Sequence, residues 1–160
     1  MRFLKLFVFL GLIVSSSQFA QVTVHRLVHT GFAYQNMGFG EVGGRLLFLT
    51  TDDVLFRAGA AALVGYSQDE VRVLPKLQGD VLFNFRRGVD VYHSHYFLAG
   101  VEATTKYFAP KAGISLLGLI DFTAGYGFPL GSHEEEGKKF QGLNLNLTLN
   151  VPIVLIKDLL

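Results

Sequence analysis

The sequence predicts an all-β fold, a single eight-stranded antiparallel up-and-down transmembrane β-barrel. Three observations lead there. Apolar and polar residues alternate with a period of two along most of the chain, as in strands whose successive side chains point to opposite faces. Clusters of Gly, Asn, Asp and Ser punctuate that alternation. Bulky apolar side chains keep to one parity, whereas small and charged ones keep to the other.

The first segment stands apart from this pattern. Arg2 and Lys5 lead into an apolar stretch from Phe3 to Val14, and Ser15-Ser16-Ser17-Gln18-Phe19-Ala20 follows as a small, polar exit. This is the layout of a secretory signal peptide cut after Ala20, and the apolar stretch falls short of the ~20 residues that span a bilayer as a helix. Residues 1–20 are therefore expected to be a signal peptide, and 21–160 one barrel domain. Removing Arg2 and Lys5 leaves 12 basic against 13 acidic side chains. That near-neutral balance argues against nucleic acid as a partner. The chain contains no cysteine, so the domain must hold together without disulfides.

Eight strands follow in order. The first, 22–35, sets Phe32 and Tyr34 against Gly31, and the second, 39–50, sets Val42, Leu46 and Phe48 against Glu41, Gly43 and Arg45. The third, 54–66, opposes Phe56 and Val64 to Arg57, Gly59 and Ala61. The fourth, 71–85, is the most regular: Val81, Phe83 and Phe85 share the apolar parity with Pro75 and Gly79, while Arg72, Lys76, Gln78, Asp80 and Asn84 share the other. The fifth, 89–104, opposes Phe97 to Asp90, Gly100 and Glu102, and the sixth, 107–119, carries Lys111, Gly113 and Ser115 on the small-or-charged parity. The seventh, 121–130, sets Phe122, Tyr126 and Phe128 against Asp121, Gly125 and Gly127. The eighth, 141–156, alternates Leu143, Leu145, Leu147 and Leu149 with Asn144 and Asn146. Tight turns are expected at Thr51-Asp52-Asp53, Arg86-Arg87-Gly88 and near Ile120, with Gly131 to Phe140 as the only long connection, so that tight turns gather at one end. No segment reads as an amphipathic helix. Glycines scattered through the strands suit a small, strongly curved barrel.

Side-chain size decides which parity faces inward. An eight-stranded interior has room for little beyond small packed side chains, and the apolar set is too bulky for it. The barrel is therefore expected to be inverted, with Phe83, Phe97, Phe122, Tyr126, Phe128, Leu145 and Leu147 facing lipid. Glu41, Arg45, Arg57, Lys76, Asp80, Glu102 and Lys111 are then enclosed as a charge network, in which acids must pair with bases because an unpaired charge away from water costs several kcal/mol.

With its leader, about 140 mature residues, eight alternating strands and polar interior, the chain resembles the small outer-membrane β-barrels of Gram-negative bacteria, of the OmpA-domain and OmpX type, over residues 21–160. The resemblance implies a place in the cell outer membrane, a periplasmic N-terminus, tight periplasmic turns and external loops. It also implies outer-membrane lipid as a partner, with other envelope proteins as candidates. The chain departs from it in ending Ile156-Lys157-Asp158-Leu159-Leu160 where such barrels carry a terminal aromatic residue, and in having short loops.

Local constellations add little chemistry. His93-Ser94-His95 puts two imidazoles on one strand face, but on the lipid-facing parity beside Phe97, which suits a membrane rim better than a metal. His25 and His29 are ~13 Å apart in a strand, too far to hold one ion, and are expected at the periplasmic end of the interior. His133-Glu134-Glu135-Glu136 reads as a solvated acidic loop neutralised by Lys138 and Lys139. Ser67, Asp69, Glu70 and His133 at the expected outer rim lack the spacing of a nucleophile and its base. No catalytic residue, cofactor or metal is expected, and the chain reads as a structural, accessory or subunit barrel of the envelope. A lipid-modifying outer-membrane enzyme and a soluble periplasmic barrel for a small apolar ligand are the alternatives.

Overall fold

The computed structural model describes residues 23–49, 51, 53–67, 70–85, 95–130 and 140–158. Eight strands, β1 (Thr23–Gln35), β2 (Gly38–Leu49), β3 (Val54–Ser67), β4 (Glu70–Asn84), β5 (His95–Thr104), β6 (Tyr107–Leu116), β7 (Ile120–Pro129) and β8 (Gly142–Pro152), pair in sequence order, and β8 pairs with β1 to close the barrel. Every ladder is antiparallel, so the sheet has no free edge. The expected signal segment, 1–20, together with Asp90, His93, Ser94, Asp69 and the stretch from His133 to Lys139, lies outside the described residues.

The register fixes the barrel's shape. Partners lead from His25 through Leu47, Arg57, Asp80, Gly100, Lys111, Gly125 and Asn144 back to β1 at Gln35, a displacement of ten residues along that strand. Ten residues at ~3.3 Å, spread over eight strands ~4.8 Å apart, tilt the strands by roughly 40° to the axis. We call the rim where β1 begins the lower rim and the rim where it ends the upper.

Turn chemistry explains three of the connections. At the β1–β2 turn Asn36 adopts a left-handed backbone, φ 57°, a conformation its short side chain tolerates, and donates from Nδ2 to Gln141 O at 2.8 Å. Val54 N donates to Thr51 Oγ1 at 3.1 Å in the expected turn before β3. The turn near Ile120 is residues 117–119, closed by Leu119 N donating to Leu116 O at 2.9 Å. The turn expected at Arg86-Arg87-Gly88 lies outside the described residues; on either side of it, Asn84 pairs with Tyr96 and Phe85 N donates to His95 O. The connection between β4 and β5 belongs to the lower rim and that between β7 and β8 to the upper, and two-residue gaps at 36–37, 68–69 and 105–106 make the upper rim the tighter one.

The end of the chain departs from the strand expected to run to residue 156. β8 stops at Pro152, and Ile153–Asp158 forms a short helix, α1. Pro152 lacks the N–H that a continuing ladder needs, and six residues are too few for a helical period to be visible in the sequence.

The interior also departs from expectation, since it is not limited to small side chains. Phe39, Tyr96 and Tyr107 are fully buried inside it. Leu55, Leu82, Tyr96 and Leu98 form an apolar layer near the lower rim, and Ala33, Phe39, Leu63, Leu74, Tyr107 and Ala109 form another near the upper. Space for them, and for long charged chains between them, comes from inward glycines. At Gly113 an added Cβ would press on Phe122 O and lie 2.7 Å from Thr123 Cα on the neighbouring strand, so only glycine lets β6 and β7 approach this closely. Gly113→Ala is accordingly expected to cost about 1–3 kcal/mol, read as a lower urea midpoint for unfolding in detergent. An unchanged midpoint would mean that β6 and β7 stand further apart than described.

Candidate functional site

The inward parity brings four acids and four bases together between the two apolar layers. Glu41 and Arg45 come from β2, Arg57 from β3, Lys76 and Asp80 from β4, Glu102 from β5, Lys111 from β6 and Asp121 from β7, and all are buried. Each position is the result of alternation: a shift of one residue would move the charge to the outer wall.

The eight form two neutral groups. Nearer the lower rim, Asp121 accepts from Arg45 at 2.8 Å and lies 2.9 Å from Arg57, which in turn reaches Asp80 at 3.5 Å. Nearer the upper rim, Lys76 bridges Glu41 at 2.6 Å and Glu102 at 3.3 Å, and Lys111 meets Glu102 at 3.1 Å. Two longer contacts of 3.9 Å, Lys111 to Asp80 and Arg45 to Glu41, join the groups. Acid and base thus alternate round a closed circuit: Glu41, Lys76, Glu102, Lys111, Asp80, Arg57, Asp121, Arg45 and back to Glu41. Every charge has an opposite neighbour on both sides.

Neutral polar groups, from β1 and β8 as well as β4 and β6, add further hydrogen bonds. His29 on β1 donates through Nε2 to Glu41 at 2.9 Å. Asn150 on β8 donates to Asp121 at 2.8 Å and accepts from Arg45 at 2.9 Å. Asn144 and Tyr107 donate to Glu102 Oε1 at 2.8 and 2.9 Å, and Gln78 Oε1 accepts from Lys111 at 3.2 Å. All eight strands therefore hold the network. A buried ion pair roughly breaks even against oil of the same volume, while a broken one is heavily penalised. The circuit ties the charges to one another only in the observed register, since a one-residue slip of any of its strands carries that strand's charges to the outer wall.

All seven charges expected in the network are in it. Asp121, on the same parity, is the eighth member and the partner of both arginines, and His29 sits in mid-lumen against Glu41 instead of at the barrel's end. Parity placed Asp121 inside, but no short-range signal ties it to Arg45, 76 residues away. The seven residues expected on the outer wall all point outward and are exposed: Phe83, Phe97, Phe122, Tyr126, Phe128, Leu145 and Leu147. His95 is exposed at the start of β5, and Glu70 is exposed at the start of β4.

The outer wall is the converse of the lumen. On outward positions of the described strands, Arg26 and the rim residue His95 are the only basic side chains, and no acidic one appears. Aromatic residues gather toward the two rims. Phe48 faces Phe56 and Phe83 faces Phe97 toward the lower rim, while Tyr34, Tyr66, Phe108, Tyr126 and Phe128 stand toward the upper. Between them the wall is mostly Gly, Ala, Val, Leu and Pro. Comparisons with protein-family models, with curated proteins and with solved structures return no match.

Proposed function

We propose that this chain is an integral β-barrel of the bacterial outer membrane, exported through a cleaved signal peptide, with a structural or accessory role in the cell envelope and no catalytic one. The observation that carries this reading is the inversion itself: the charged circuit is sealed inside, and bulky apolar side chains cover the outside of all eight strands. In water that arrangement would expose a continuous apolar surface far beyond the few hundred Å² a soluble monomer tolerates. In lipid it is the arrangement that costs least.

Dimensions support the same reading. A ten-residue strand rising ~3.3 Å per residue and tilted ~40° climbs roughly 25 Å, the height of the apolar band of an outer-membrane barrel. Aromatic girdles at both edges match the two interfaces, and the outward tyrosines Tyr34, Tyr66 and Tyr126 all stand toward the upper rim, where a ring can sit in oil with its hydroxyl in water. Export through an N-terminal leader leaves the lower rim in the periplasm. The upper rim then faces outward with three two-residue connections and one of twelve, which leaves little to reach a distant partner and favours contact with outer-membrane lipid and neighbouring envelope proteins.

The neutral, closed circuit supports a structural role for the lumen: its charges satisfy one another and lie between apolar layers. The test is fractionation with heat modifiability. The protein is expected in the outer-membrane fraction, resistant to carbonate extraction and migrating faster before boiling than after. Full recovery as a soluble periplasmic protein would overturn the membrane reading.

A further inference from the structure

The apolar wall is not uniform. Over β6, β7 and β8 it sinks into a trough of about 690 Å³, within the ~300–1,000 Å³ of small-molecule sites. Its floor is the cross-strand pair Ala112 and Ala124, whose methyl groups leave the wall recessed. One side is a continuous row of large side chains at successive ladder partners: Ile114, Phe122, Leu147 and Phe32. The trough ends at Leu145 and Tyr34, and Tyr34 stands toward the upper rim beside the β1–β2 turn.

We propose that this trough holds one acyl chain of a lipid in the leaflet at the upper rim, its headgroup lying beside Tyr34. The inference rests on the membrane reading and adds an occupied site to it. The polarity gradient carries the assignment. Floor and side wall are hydrocarbon, and the first hydroxyl is met at the upper end, which matches a lipid's tail and head in order. A wall that faces lipid gains nothing from the hydrophobic effect alone, because tails are as apolar as leucine. A recess gains from dispersion contact on three sides, and an unfilled one forfeits it. A second barrel fits the trough poorly: its wall is convex, and at the same height its side chains would bridge the ridge and leave the floor empty.

The experiment uses the full-length barrel in phosphatidylethanolamine vesicles doped with the same lipid carrying a photoactivatable diazirine in its acyl chain. Adducts are mapped by peptide mass spectrometry, with insertion monitored by heat modifiability. Adducts are expected to concentrate at least about five-fold on peptides carrying Ala112, Ala124 and Leu145 over those carrying Phe83 and Phe97 on the opposite wall. Ala124→Phe and, separately, Ala112→Leu fill the trough from outside and should remove that excess while the opposite wall labels as before. Even labelling round an inserted barrel, unaltered by both substitutions, would overturn the acyl-chain site and leave the membrane reading standing. A trough left unlabelled in an inserted barrel that runs as a dimer by native mass spectrometry would overturn it in favour of a second copy. A barrel that neither inserts nor labels would overturn both readings.

Discussion

Replacing Glu102 with leucine is expected to cost the barrel about 3–5 kcal/mol, the penalty for breaking a buried ion pair from one side. Glu102 is fully buried and touches four partners: Lys76 at 3.3 Å, Lys111 at 3.1 Å, Tyr107 at 2.9 Å and Asn144 at 2.8 Å. The substitution opens the circuit between two lysines and leaves the lumen with four bases and three acids. The surplus positive charge has no route to water. Adding Lys111→Met restores the balance, because Lys76 keeps Glu41 at 2.6 Å and Asp80 keeps Arg57 at 3.5 Å. The double variant is therefore expected to be more stable than Glu102→Leu alone, though it lacks one more native side chain. Urea unfolding in detergent micelles, followed by the loss of heat modifiability, gives both midpoints. Additive losses would show that Glu102 and Lys111 do not act through charge balance.

The strands and their two faces were legible in the sequence because a period of two is local. Each expected strand overlaps an observed one, and the seven charges assigned to the lumen lie there. What alternation cannot encode is who meets whom. Arg45 and Asp121 touch because a ten-residue displacement round eight strands brings β2 and β7 across a narrow lumen, and that displacement exists only once β8 has closed on β1. The apolar layer near the lower rim had a signal that parity reading passed over. Leu46-Leu47-Phe48-Leu49, Val54-Leu55-Phe56, Val81-Leu82-Phe83 and Tyr96-Phe97-Leu98 are unbroken apolar runs, and each marks a place where both faces of the strand are apolar. The helix α1 was too short to announce itself.

On the membrane reading, Leu147→Arg should fail to insert where Asn146→Ser succeeds, although the two residues are neighbours. Leu147 pairs with Phe32 on one side and Phe122 on the other and points outward near mid-height of the wall. A guanidinium there costs about 2–4 kcal/mol at the bilayer midplane, with its side chain short of either interface. Asn146 points inward and donates to Asn144 at 2.7 Å, so serine forfeits one hydrogen bond of roughly 1 kcal/mol in a lumen that keeps its charges paired. The contrast isolates the direction of the two faces, since a water-soluble barrel with the same strands would accept arginine at Leu147 as a surface change. Both variants are refolded into lipid vesicles, and the heat-modifiable fraction is measured. Near-wild-type assembly of Asn146→Ser with several-fold less of Leu147→Arg is the expected result. Equal assembly of the two would mean that the wall carrying Leu147 does not face lipid.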